Sequence, residues 1–158
     1  MKLTEIVVEQ AILPDLEATE RDAVIGQLVD ALLAAGAADP AVREELMQRL
    51  LDREKKGSTG FGRGVAVPHV KHPRIQRMAA AIGLSQRGID FNSLDKQPVY
   101  SVVLLLSPED RPEEHLQAME AIFKNLSKDT FRRFLRQAGS REEVVQLLDE
   151  ADSQQLTG

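Results

Sequence analysis

No cysteine occurs among the 158 residues. That excludes a disulfide framework, a thiolate zinc site and a thiol nucleophile. Long apolar runs are missing too: nothing approaches the roughly 20 residues that a membrane span requires. The first residues, MKLTEIVVEQAILPDL, lack a basic leader followed by an apolar core, so the expectation is a cytoplasmic protein with no membrane insertion. Basic charge is not in excess. The net charge is -5, and Arg132, Arg133 and Arg136 form only a local cluster, which argues against nucleic acid as a partner. There is no internal repeat, low-complexity tract or long linker. What remains is enough apolar sequence, 42%, to bury the core of one domain.

The apolar spacing predicts a helix over 23–35, with Val24, Leu28 and Ala31 or Leu32 on one stripe and Gly36 after its end. Asp39 and Pro40 form an N-cap and first-turn pair for a second helix reaching about Lys55, which turns basic at its last turn. Short strands are predicted at 65–67 and 78–84. Val99 to Leu106, VYSVVLLL, reads as a central strand buried on both faces. Three helices close the chain, from about Pro112 to Leu126, Asp129 to Gln137 and Arg141 to Asp149, the last opened by a Ser140/Glu143 capping box. The first twenty residues fit a short strand, a helical turn or both. Helices before and after the strands imply an α/β layered domain over 1–152, followed by a frayed polar tail at 153–158.

The segment GSTGFGRGVAVPHVKHP, Gly57 to Pro73, is the most informative. Glycines at 57, 60, 62 and 64 let a backbone approach an anion closely. Pro68 then presents His69 from a defined backbone. A histidine that carries phosphate needs an unprotonated nitrogen, donors for the phosphoryl oxygens and a surface open to a partner. Glycine N–H groups, Arg53 at the basic end of the second helix and a second histidine are the candidate donors. His115 shares a helical stripe with Met119, Ile122 and Leu126, so it points toward the protein, and the positive helix N-terminus disfavours its imidazolium form. The alternative for His115 is a half-buried ring satisfied by a backbone carbonyl, and for His69 a turn residue with no chemical duty.

The run REKKGSTGFGRGVAVPH, Arg53 to His69, resembles the active-site segment of the enzyme IIA domains of the fructose/mannitol class of the bacterial phosphoenolpyruvate:sugar phosphotransferase system, including their nitrogen-regulatory branch. The resemblance continues through GLSQRGIDFNSLDKQPVYSVVLLLSPEDRPEEHLQAMEAIFKNL, Gly83 to Leu126. It implies a single α/β domain, with a mixed β-sheet flanked by helices on both faces, that takes a phosphoryl group from the histidine-containing phosphocarrier protein. By motif position, His69 resembles the phosphorylated histidine, His115 the second histidine that supports the phosphoryl group, and Arg53 the nearby arginine. Ser58, Thr59 and Gly64 stand where phosphate contacts are implied. No cofactor and no metal are implied. The chain departs from the commoner pattern after His69, where VKHP replaces a glycine or small-residue continuation, a change that bears on partner specificity. With no apolar span and no cysteine, a stand-alone regulatory IIA is expected rather than a fused permease. A sugar-transport IIA that hands phosphate to a IIB domain is the alternative.

Other chemistries fit less well. A P-loop needs Gly-x4-Gly-Lys-Ser/Thr after a strand, whereas this glycine run lacks the lysine and follows a helix. Gly57-Ser58-Thr59-Gly60 has the wrong spacing for a serine-hydrolase elbow. A zinc site from His69, His72 and His115 is disfavoured because three-residue spacing on an extended chain sends His69 and His72 to opposite faces, leaving His72 as a solvated neighbour. A regulatory binding module that uses no phosphate is the rival of a different class. Around His69 the expected surface is apolar and glycine-lined, with Arg53, Arg63 and Lys71 at its edge.

Overall fold

Apolar side chains alternate along two long strands, and this alternation builds the molecule as a sheet with a separate core on each face. The computed structural model describes residues 1–154. In chain order the elements are α1 (Leu3–Ile6), β1 (Val7–Leu13), α2 (Arg21–Ala34), α3 (Arg43–Lys56), β2 (Gly60–Gly62), β3 (Val65–Ala66), β4 (His69–His72), β5 (Ala79–Ile89), β6 (Val99–Pro108), α4 (Pro112–Leu126), α5 (Asp129–Gln137) and α6 (Arg141–Asp152). The N-terminal segment holds both a helical turn and a strand. Asp39 accepts the Ala41 N–H at 2.9 Å, but it opens a 3-10 turn over Pro40–Val42 before α3 begins. The expected tail starts in a turn at Ser153 and Gln154, and the rest of it lies outside the described residues.

The six-stranded sheet runs β1-β5-β6-β3-β2, with β4 also beside β6. β5 is antiparallel to β6 and takes one edge of it, while β3 and β4 lie parallel to β6 on the other. Val65 and Ala66 pair with Ser101 and Val102, and His69 to His72 pair with Leu105 to Pro108. The sheet is therefore mixed. β6 is central as its near-continuous apolar run predicts, since Val102, Leu104 and Leu106 enter one core and Val103 and Leu105 the other. Residues of α2 and α3, among them Leu28 and Leu46, fill the first core; α1, α4, α5 and α6 cover the second. Each fully buried leucine of β6 contributes about 1.5–3 kcal/mol of transfer free energy.

The structure extends the sequence reading in three places. β5 runs on past Leu84 to Ile89 through a register irregularity, with Gly88 at φ 92° where few other residues would fit. The glycine-rich run folds as the hairpin β2–β3 rather than as an open loop. His69 begins β4 instead of sitting in a turn. Pro68 has no N–H, yet its carbonyl accepts the Leu105 N–H at 3.0 Å and so carries the pairing across the gap between β3 and β4.

Candidate functional site

Partners across a parallel pair share a face, so the register of β4 against β6 sorts the side chains around His69. His69 stands beside Leu105 and Lys71 beside Ser107; Leu105 belongs to the core under α4. Val70 stands beside Leu106, and both belong to the other core. His69, Lys71 and Ser107 thus lie on the α4 face, and His72 on the α3 face. The sheet alternation separates His69 from His72 as expected. His72 is not the solvated neighbour that was expected, however. It is buried at 2% exposure, Nδ1 accepts the Arg74 N–H at 3.0 Å, and Nε2 lies 3.3 Å from Glu45 Oε2. Its ring fills the space between β4 and α3, and the polar partners there make burial tolerable. Among the described residues, no cluster of three or more His, Cys, Asp or Glu side chains could hold a metal ion.

His69 and His115 are brought together. Their ring centroids are 5.7 Å apart with the planes inclined at 47°. Nδ1 of half-buried His69 lies 2.8 Å from the Val67 carbonyl oxygen. A carbonyl only accepts, so the neutral ring donates Nδ1–H there and keeps its lone pair on Nε2. His115 is buried, with Nδ1 2.7 Å from Ser107 Oγ. Burial is the main cause that pushes its pKa down to about 4, followed by the positive charge of Lys71 and by the mutual repulsion the His69 and His115 rings would feel if both were protonated. At neutral pH this ring is uncharged. The outcome matches the sequence expectation, but desolvation does most of what the helix terminus was expected to do, and a serine hydroxyl stands where a backbone carbonyl was the alternative.

The other candidates hold the frame. The Arg53 guanidinium donates to the Gly57 carbonyl at 2.6 Å, closing the end of α3 on its own loop. Thr59 is fully buried: its N–H donates to Glu54 Oε1 at 3.0 Å and its hydroxyl to Glu54 Oε2. Ser58 donates to the Phe91 carbonyl at 2.9 Å and accepts the Gly60 N–H at 3.0 Å. Both hydroxyls are therefore committed within the protein rather than turned to a phosphoryl group. Gly64, at φ 78°, accepts the N–H groups of Tyr100 and Ser101 and lies against the Tyr100 ring, near Pro98. It is not beside His69. Arg63 lines a different cleft of about 670 Å³ with Tyr100, Arg132, Arg133 and Arg136. Of the three cations expected around His69, Lys71 is the one whose field reaches the His115 ring.

Three contributors were missed from the sequence: the Val67 carbonyl, the Glu54 carboxylate and Ser107. Only Ser107 left a signal, as the single polar residue closing the run VVLLLS just before the helix of His115. Phe61 of β2 is exposed and packs edge-on against Phe123 of α4 at 5.1 Å, and Leu116, next to His115 in α4, is exposed as well.

The mixed sheet thus sets one histidine with a free Nε2 beside a second, uncharged histidine. The chain belongs to the phosphoenolpyruvate-dependent sugar phosphotransferase system EIIA 2 family, whose model matches residues 5–151. It is 35% identical over 150 residues to a nitrogen regulatory protein of Bradyrhizobium diazoefficiens, covering 94% of this chain and 95% of that one. It is 32% identical over 152 residues to the fructose-specific EIIABC component of Bacillus subtilis, covering 96% of this chain and spanning 24% of the length of that relative. Among solved structures, the nitrogen regulatory protein IIA-Ntr of Neisseria meningitidis superposes with a TM-score of 0.81 at 28% identity, covering 91% of this chain and 97% of that one. Mannitol IIA of Escherichia coli has the same fold, with a TM-score of 0.75 at 22% identity, covering 89% and 97%.

Proposed function

We propose that His69 Nε2 accepts a phosphoryl group from the phosphohistidine of the histidine-containing phosphocarrier protein. The observation that carries this reading is the paired geometry: Nδ1–H of His69 is held on the Val67 carbonyl, and the uncharged ring of His115 lies 5.7 Å away. In the transfer, the Nε2 lone pair forms the new N–P bond as the donor's N–P bond breaks, and that electron pair returns to the donor imidazole. No general base is needed, because neutral Nε2 carries no proton. His115 and the Lys71 ammonium stabilise the charge on the phosphoryl oxygens as it passes. Arg53, Glu54, Ser58 and Thr59 act one step further out, fixing the hairpin against the end of α3.

The regulatory branch is the better supported assignment, because identity and structural similarity are both higher toward nitrogen regulatory proteins than toward the fructose and mannitol components. Its site of action is then the cytoplasm, and its output is a regulatory target. The sugar-transport reading, in which phosphate passes to a IIB domain, draws support from the fructose-specific relative. Incubation with phosphoenolpyruvate, the first enzyme of the system and the phosphocarrier should add one acid-labile, base-stable phosphoryl group to the protein, and His69→Ala should abolish it. Labelling of His69→Ala at the parental rate would refute the assignment. A purified fructose-type IIB domain offered next distinguishes the branches: rapid loss of the label to it favours transport, and retention favours regulation.

A further inference from the structure

We propose that Ser107 is a positioning residue that fixes the tautomer of His115, so that the second histidine presents an N–H, and not a lone pair, to the phosphoryl group on His69. The proposal rests on the phosphoryl-accepting role of His69.

The argument is one of hydrogen-bond satisfaction. Ser107 is fully buried, and the contact to His115 Nδ1 at 2.7 Å is the hydrogen bond its hydroxyl makes among the described residues. Two arrangements fit that distance. If Nδ1–H donated to Oγ, the serine hydrogen would be buried with no acceptor, which is costly. If Oγ–H donates to Nδ1, every buried hydrogen is paired, and the ring hydrogen must sit on Nε2. No buried side-chain nitrogen or oxygen lacks a partner among the described residues. His115 Nε2, which has none, is therefore not sealed from solvent in this nearly buried ring.

The two histidines consequently have opposite tautomers, each set by one neighbour. The Val67 carbonyl accepts from Nδ1 of His69 and leaves a lone pair on Nε2; the Ser107 hydroxyl donates to Nδ1 of His115 and leaves an N–H on Nε2. One ring attacks phosphorus, and the other donates to a phosphoryl oxygen. Were both rings to expose lone pairs, His115 would repel the incoming anion. The depressed basicity of His115 agrees with this, because the ring acts as a neutral donor and needs no extra proton. Ser107 stands beside Lys71 across the β4–β6 pair, so the strand register that aims the lysine ammonium at the site also aims the hydroxyl.

The test uses nitrogen-15-labelled unphosphorylated protein at neutral pH, with long-range proton–nitrogen correlation spectra of the histidine rings. The parent should show His115 as the Nε2–H tautomer. Ser107→Ala should move it toward Nδ1–H or a mixture, and Ser107→Thr, which keeps the hydroxyl, should retain the parental form. Phosphorylation of His69 by the phosphocarrier should be about 10- to 100-fold slower in Ser107→Ala, by analogy with the loss seen when the partner that orients a metal-ligating histidine is removed. A purely structural serine would leave the tautomer unchanged. His115 found as Nδ1–H in the parent, or a Ser107→Ala protein with the parental tautomer or the parental rate, would overturn the proposal. A parent that takes up no phosphoryl group would instead overturn the proposed function, while the tautomer measurement would still decide what Ser107 does.

Discussion

Burying an imidazole so that it stays neutral has a cost that shows up as pH dependence. An unfolded-chain histidine titrates near 6.5, whereas His115 in the fold is pushed down to about 4. The folded state therefore resists protonation: the stability linked to this ring is fully present above about pH 6.5 and is lost as pH falls toward 4. His115→Gln removes the titrating group and keeps an N–H donor. Urea unfolding of both proteins across that window should show the parent losing stability more steeply than the variant. Parallel curves would mean that the ring is protonated in the fold without penalty. The same substitution should slow phosphorylation, because an amide reaches the phosphoryl oxygens less well, but by less than the about 100-fold or more expected when a donor is removed outright.

The turn from α3 into the hairpin depends on one buried carboxylate. Glu54 is 4% exposed and serves both the N–H and the hydroxyl of Thr59. Glu54→Ala would strand two buried donors, and the expected loss is about 2–5 kcal/mol of unfolding free energy. Denaturant unfolding checks this, and a loss within experimental error would show that the loop finds other partners. The element scale also shows why parts of the molecule were legible in the sequence. β6 and the helices α2, α4, α5 and α6 are long enough for their periodicity to be read directly. β2 and β4 are not, because three or four residues carry no period and their existence depends on pairing with distant residues. His69 and His115 stood out through motif and stripe. Ser107 could be noticed as the polar end of an apolar run, but its pairing with His115, like that of the Val67 carbonyl with His69, became visible only once β6, β4 and α4 were brought together, since nothing along the chain says which atom a ring nitrogen will meet. The same short strand explains the error at His72: in extended backbone a polar residue at an inward position looks like a surface residue until its partners on α3 are known.

On the scale of the whole molecule, phosphorylation would add to a charge that is already negative. The chain carries -5 at neutral pH, and a phosphoryl group adds roughly two further negative charges. They would appear on the face of β4 that carries His69 and Lys71. A regulatory partner bound on this face should therefore distinguish the two forms by about 1–3 kcal/mol, the usual size of a coupling between two ligands. Calorimetric titration of a partner with both forms, at fixed salt, measures the difference. Equal affinities would leave a relay without a switch. His69→Asp should reproduce only part of the effect, since it supplies less charge and holds it closer to the backbone.

The pairing of β4 with β6 restricts how this site can change over time. Alternation assigns His69 and Lys71 to one side of the sheet and Val70 and His72 to the other, so moving the segment by one residue would exchange the two sets. One residue lost at Val67 or Pro68 would point the His69 ring toward α3 and bring valine to the surface. The stretch can thus be altered by substitution, but insertion or deletion there would part His69 from His115 even where the fold survived.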